Sequence, residues 1–356
     1  MRLGVRPQTL YAYVSRGFLS PRKVHGRSQF AVTELDRLAA RSRRRPRSGR
    51  LEVLIDTEVT LLDPTGHLYY RGIDVASIVG HWSFERTAEW LWSGEDDGEP
   101  APWPDVKGRR VTGVRVPDRL RAAAALMAAD APEADRELTA SATIGRRLIP
   151  ALIASLPLVG APAADRRGVA ERLWPRLSAL PLTPERHRAL EAALVLLADH
   201  EMAASTMAAR VAASVWSPPL DVVVAAMATH AGRLHARATS SVEEALVAGR
   251  PPEHGFGHAV YKDHDPRAEL LFPFVDAAAP EAAGRFPREA RSESLFPNID
   301  FAVATLSVSN EMVPGSSEVI FAIARVAGWL AHAAEEYENP FRYRPTASYV
   351  GPRPLD

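Results

Sequence analysis

The chain has 356 residues, 46% of them hydrophobic and 24% charged, with 43 basic and 43 acidic side chains. Such a composition excludes a disordered polymer and supplies enough apolar mass for one large or two medium domains. The absence of cysteine excludes disulfides, thiolate metal sites and cysteine nucleophiles, and no run of about 18 apolar residues is present to span a bilayer. No charged-then-apolar leader precedes the first segment, so a soluble protein with a cytoplasmic address and no membrane partner is expected.

The balanced charge is divided along the chain. The first 50 residues hold 13 Lys and Arg against only Glu34 and Asp36, leaving 30 basic against 41 acidic residues in the rest. Leu3, Val5, Leu10, Tyr13 and Val14 have helical spacing, Gly17 supplies a stop, and Phe18, Leu19 and Pro21 follow as a turn. The stretch LGVRPQTLYAYVSRGFLSPRKV, then GRSQF and VTELDRLAARS, resembles the winged helix-turn-helix of MerR-type regulators. That resemblance implies a partial segment over 1–40. Its recognition helix is placed at about 6–16, with Arg6, Gln8 and Thr9 near its start, and a wing near Arg27. The family's support helix would lie upstream of Met1, which leaves DNA binding and an accessory docking role both open. Residues 41–50, RSRRRPRSGR, combine self-repelling charge with Pro and Gly and read as a basic linker.

Beyond residue 50 the pattern is mostly helical. LEVLIDTEVTLLDPTGHLYYRG, with the turn Asp63-Pro64-Thr65-Gly66, predicts a small hairpin or meander near 51–70. RLRAAAALMAA, ERHRALEAALVLLADH, STMAARVAASVW and EVIFAIARVAGWLAHAAEEYE carry the 3.6-residue period of helices. Neither GxxxxGK[ST] nor GxGxxG occurs, so nucleotide hydrolysis and dinucleotide-dependent hydride transfer lose support. His187, His230, His254, His264 and His332 read as surface, helix-end or packing residues, and no HExxH or HxH pair suggests a metal centre.

GFGHAVYKDHDPRAEL stands apart. Gly255 and Gly257 free the backbone for close approach to a ligand, and His258 is followed nine residues later by Arg267 in a DPR turn that can start a helix. An imidazole to donate to a carbonyl and a guanidinium fork for a carboxylate suggest a carboxylated oxo compound. Downstream, Asp300 lies between Ile299 and Phe301, where limited water favours either a base or a buried cap.

YYRGIDVASIVGHWSFERTAEWLW, DHEMAASTMAARVAAS, GRLHARA, GFGHAVYKDHDPRA, FPNIDF, FAIARVAGWLAH and RPTASYVGP occur in the order found in citrate synthases. From about residue 50 to 356 the chain is therefore similar to that family. The resemblance implies a mainly α, two-domain fold, with a large helical domain at 51–235 and 311–356 and a small helical domain at 236–310. It implies Asp300 as the base that takes a proton from the methyl of acetyl-CoA. His235 would donate to the enolate oxygen, and His258 would polarise the carbonyl of oxaloacetate. His200, Arg267, Arg325 and Arg344 would hold oxaloacetate, Arg344 across a homodimer with a shared active site, while Lys262 and Arg237 would contact CoA phosphates. No cofactor or metal is implied, acetyl-CoA being the co-substrate.

The chain departs from the family pattern around His235, where the usual preceding proline is absent and Ala236 and Arg237 stand where glycines commonly follow the histidine. It departs again at Ala203, where asparagine is common, and after Asp300, where Ala302, Val303 and Ala304 replace serine. Two other readings stay open: a 2-methylcitrate synthase using propionyl-CoA, since one methylene alters binding by only about 1–3 kcal/mol, and a catalytically weak, metabolite-sensing DNA-binding regulator.

Overall fold

Asp63 organises the strand-forming segment. Its carboxylate accepts the Thr65 N–H at 2.7 Å, its carbonyl accepts the Gly66 N–H at 2.9 Å, and Gly66 takes the left-handed φ of +95°. This turn joins β3 (Thr60–Leu62) to β4 (Leu68–Tyr70), and β5 (Ile73–Asp74) completes an antiparallel meander in the order β3-β4-β5. The computed structural model describes residues 14, 21–24, 27–31, 54–63, 65–162, 168–286, 296–338 and 342–346. Contacts divide the chain into Met1–Asp56 and Thr57–Asp356.

In the first unit, β1 (Arg22–Val24) and β2 (Arg27–Gln29) form an antiparallel hairpin that pairs Arg22 with Gln29 and Val24 with Arg27. It occupies the stretch where a wing is expected. The expected recognition helix over 6–16, apart from a helical Val14, and the linker at 41–50 lie outside the described residues.

The second unit is helical after the meander. Its helices are α1 (Val75–Ile78), α2 (Phe84–Ser93), α3 (Val116–Ala129), α4 (Ser141–Ser155), α5 (Val169–Leu177) and α6 (Pro184–Leu197). They continue with α7 (Ala204–Ala213), α8 (Pro219–His230), α9 (Ala236–Val247), α10 (Pro266–Ala278), α11 (Ile299–Ser309) and α12 (Ser316–Glu338). Among the described residues no helix is long and apolar enough to cross a membrane.

The four helical patterns read from sequence fall on α3, α6, α7 and α12. α12 is buried on every side from Ser316 to Ala333 and packs against α2, α3, α4, α6, α7, α8, α9 and α11, as an all-round apolar helix must. Each of its Ile, Leu, Phe and Trp side chains removed from water contributes about 1.5–3 kcal/mol. α6 is similarly apolar along Ala192–Leu197. Tyr70 links the meander to the end of α6, its hydroxyl lying 3.1 Å from the carbonyls of Val195 and Asp199. That contact sets the position of the residues just beyond α6. α9 packs on α11, and α10 packs on both α11 and α6.

Candidate active site

His235 is the N-cap residue of α9 and follows an almost fully exposed Leu234. Its Nε2 lies 2.8 Å from Ser205 Oγ in the first turn of α7. Behind it the ring packs on buried His230, at a centroid distance of 4.9 Å, and on Phe321 of α12 at 6.1 Å. Burial, reinforced by the Arg325 charge, pushes the His235 imidazole down to about 4, so the ring is neutral at pH 7. In the tautomer in which the Ser205 hydroxyl donates to Nε2, the one ring proton resides on Nδ1.

The glycine-rich loop is clamped to the start of α11. Phe256 and Pro297 form a β-bridge, Gly257 N–H donates to the Phe296 carbonyl at 2.8 Å, and Asn298 N–H donates to the Gly255 carbonyl at 3.0 Å. Gly255 has φ +92°, and a side chain there would press on Val242 and Phe301, so the approach of loop to helix requires glycine. His258 Nδ1 accepts the N–H groups of Val260 at 3.1 Å and Tyr261 at 3.3 Å. Two donors at Nδ1 leave the proton on Nε2. Burial and the neighbouring Arg267 push this imidazole also to about 4.

Around His258 stand groups suited to an anion. His200 meets its ring edge-on at 5.2 Å and lies 3.2 Å, Nε2 to hydroxyl, from buried Tyr261. Arg267, in the first turn of α10, donates from Nε and one terminal nitrogen to the two oxygens of the N-cap Asp265, at 3.0 and 2.8 Å. A terminal nitrogen also lies 3.4 Å from His258 Nε2. Asp265 in turn accepts the Ile299 N–H at 3.0 Å, coupling the arginine to the helix that carries Asp300. Arg325, in mid-α12 and 1% exposed, donates from Nε to the Leu197 carbonyl at 2.8 Å. One of its terminal nitrogens has no partner among the described residues. A buried cation with an unfilled donor is a ready carboxylate site.

Asp300 is the second residue of α11. Its backbone N–H is capped by Asn298 Oδ1 at 3.0 Å, and its carboxylate Oδ1 accepts the Thr239 hydroxyl of α9 at 2.5 Å. Burial pushes the carboxyl above the ordinary range, opposed by the Thr239 hydrogen bond and by Arg267. The positive end of α11 favours the charged form as well.

Seven residues expected from sequence thus take these positions: His200, His235, His258, Arg267, Asp300 and Arg325 lie in connected buried or half-buried surroundings, while Arg344 is exposed on the segment 342–346. Lys262 and Arg237 are exposed, four and two residues after the histidines of their segments. Ala203, where an amide is common, is the N-cap of α7 and provides no side-chain cap. Ser205, Thr239, Tyr261, Asp265 and Asn298 escaped the sequence reading. Asn298 before an apolar run and Asp265 before Pro266 carried a helix-start signal; Thr239 and Ser205 carried none. Among the described residues no group of three His, Asp or Glu side chains is arranged to hold a metal ion.

The family model for the citrate synthase C-terminal domain matches residues 51–346. The chain belongs to the citrate synthase family. Citrate synthase 2 of Bacillus subtilis is 33% identical over 210 residues, covering 52% of this chain and 56% of that relative. The chain therefore spans about half the length of that relative. The citrate synthase of Mycolicibacterium smegmatis is 26% identical over 355 residues, covering 85% of this chain and 94% of that one. Among solved structures, a ternary complex of Thermoplasma acidophilum citrate synthase with carboxymethyl coenzyme A and oxaloacetate superposes with a TM-score of 0.63. It is 22% identical and covers 85% of this chain and 95% of that chain. The fold is thus that of citrate synthases, as the motif order implied.

Proposed function

We propose that this citrate synthase family member condenses acetyl-CoA with oxaloacetate and hydrolyses the resulting citryl thioester, releasing citrate and CoA. Asp300 takes a proton from the acetyl methyl, and the charge that moves to the thioester oxygen is met by the Nδ1 proton of neutral His235. A preorganised donor of that kind contributes about 3–4 kcal/mol to barrier lowering. The nucleophilic carbon then attacks the oxaloacetate carbonyl, whose oxygen receives a proton from His258 Nε2. His200, Arg267 and Arg325 bind the oxaloacetate carboxylates and carbonyl. Water cleaves the thioester, and the thiol leaves as free CoA. In this reading no resident cofactor or metal takes part.

The observation that carries the reading is the shared frame in which Asp300, two neutral imidazoles and the unfilled Arg325 donor are held. The Thermoplasma relative, crystallised with oxaloacetate and a coenzyme A analogue, supports the same pair of ligands here. By the same reading Arg344 serves the partner site of a homodimer, Lys262 and Arg237 meet CoA phosphates, and the small domain at 236–310 closes on the large one in the cytoplasm. Closure of two domains over the substrates would orient them and exclude water. The basic head is read as a MerR-like segment, supported by the β1–β2 hairpin; a gel shift lost steeply with rising salt tests it.

The decisive assay is release of free thiol, clean here because the chain has no cysteine of its own. Thiol should appear only when both substrates are present, and Asp300→Ala should lower kcat by about 10²–10⁴-fold. Propionyl-CoA should turn over more slowly than acetyl-CoA; the reverse preference would make the enzyme a 2-methylcitrate synthase. Absence of thiol release with either acyl-CoA, together with an oxaloacetate-induced rise in Tm, would replace catalysis by sensing.

A further inference from the structure

A helical threonine can return its hydroxyl to the carbonyl four residues earlier. Thr87, Thr229 and Thr305 all do so, bonding to the carbonyls of Ser83, Ala225 and Phe301 at 3.0, 3.2 and 2.8 Å. Thr239 lies in α9, and the carbonyl four residues before it belongs to His235. It bonds instead across to α11, giving its proton to Asp300 Oδ1. Thr239 is completely buried, so its hydroxyl has no water to turn to, and its choice of acceptor orients the carboxylate.

The rest of Asp300 is held from its own helix. Asn298 caps the backbone N–H of Asp300, and among the described residues no side chain donates to Oδ2. One carboxylate oxygen is tethered and the other is open to accept a proton. The tether comes from the helix whose first turn presents His235, so one rigid element sets both the base and the group proposed to receive the developing negative charge.

We infer that Thr239 is the positioning residue for Asp300, aiming Oδ2 at the acidic methyl group and holding the carboxylate in its charged form. This rests on the proposed reaction for its substrate, though not for its chemistry at Asp300. Burial favours the neutral carboxyl, and the Thr239 hydrogen bond acts against it. Removing the hydroxyl should therefore leave more of the base protonated at a given pH.

The test compares Thr239→Val, which keeps shape and removes the hydroxyl, with Thr239→Ser, which keeps the hydroxyl. In Thr239→Val the acid limb of kcat/KM should move up by about one pH unit, the change expected on losing a hydrogen bond to a charged group. Thr239→Ser should return it to the wild-type position. A buried structural role would lower Tm and scale the rate at every pH without moving the limb, and that result would overturn the inference. A carboxyl-carbon NMR titration of Asp300 in wild type and Thr239→Val reads the same shift without turnover. Should the wild type release no CoA, the titration still decides: an unchanged Asp300 pKa sinks the Thr239 role, whereas an upward shift retains it while the reaction assignment fails. If Thr239→Val does not fold, Thr239→Ala takes its place with the same criteria, and Thr239→Ser, expected to leave the Asp300 pKa unchanged, remains the control that keeps the hydroxyl.

Discussion

Asn298 joins two segments that lie 41 residues apart: its Nδ2 donates to the Gly257 carbonyl at 2.9 Å while its Oδ1 accepts the N–H groups of Asp300 and Phe301 at 3.0 and 3.3 Å. The same side chain therefore starts the helix of the proposed base and fastens the loop of the proposed acid. Asn298→Ala should lose about 1 kcal/mol for the cap, seen as a Tm lower by a few degrees. Asn298→Asp keeps an accepting cap oxygen but turns a second oxygen toward the Gly257 carbonyl. It should remain nearer to wild type in Tm than Asn298→Ala and fall further in kcat/KM. Thermal melts beside the thiol assay check this, and a loss of activity that simply tracks Tm in both variants would show that the loop tether is unimportant.

Arg325 predicts how ligand and stability are linked. Leaving a buried donor unmade costs about 1–3 kcal/mol, and a bound carboxylate would recover it. Oxaloacetate at 100 times its dissociation constant should then stabilise the wild type by about 2.7 kcal/mol. Arg325→Met replaces the desolvated cation by an apolar chain of similar length, so the ligand-free Tm should change little while the oxaloacetate-induced rise disappears. Differential scanning fluorimetry with and without oxaloacetate measures both quantities. An undiminished rise in the variant would remove Arg325 from the binding set.

The imidazoles predict the acid side of the stability curve. His235 and His258 are pushed to about 4, and His200 and His230 well below their ordinary value, chiefly by burial. Between that range and 6.5 the unfolded chain binds protons that the folded chain refuses, so stability rises with pH across the window and is lost as pH falls through it. Asp300 acts oppositely: with its folded value raised, its contribution is full below 3.8 and declines as pH climbs. Urea midpoints from pH 7 to pH 4 should fall, and fall less steeply in His258→Gln. Equal slopes in the two proteins would mean that His258 is already charged in the folded state.

The long elements were legible because their signals are local. α12 and α6 show helical period and apolar composition over many consecutive residues, and Asp63 with Gly66 marks the meander turn. Asp300, His258 and Arg267 were legible because they sit in short motifs beside glycines or a proline. Tyr261, Ser205 and Thr239 were not, since each earns its place through a partner 61, 30 and 61 residues away, a separation that leaves no periodic trace. Pro150, Pro175 and Pro273 sit inside α4, α5 and α10, where a local rule would stop the helix. Packing of the surrounding apolar faces outweighs the lost backbone bond there, and only the tertiary structure reveals it.

A second carboxylate cluster, away from Asp300, yields a prediction on the alkaline side. Glu191 of α6 accepts the Phe84 N–H at the start of α2, and Glu85 of α2 accepts the Val169 N–H at the start of α5, each at 2.6 Å. His187 lies 3.0 Å from Glu171 and 3.5 Å from Glu191, and Arg172 is the other cation that acts on Glu85. Burial first, then repulsion among the carboxylates, raises Glu85 to about 7 and Glu191 to about 8. Raised folded values mean that the stability these groups contribute is complete below about 4.5 and is lost as pH rises through 7 to 8. Glu191→Gln retains an oxygen for the Phe84 N–H and abolishes the titration. Its Tm should match wild type near pH 4.5 and exceed it increasingly as pH rises to about 8, giving a flatter profile between them. Melting curves collected at half-unit intervals would show the two profiles diverging from about pH 4.5 to pH 8; profiles that stay parallel across that window would mean that Glu191 ionises in the folded chain as it does in the unfolded one, its charge fully compensated by His187.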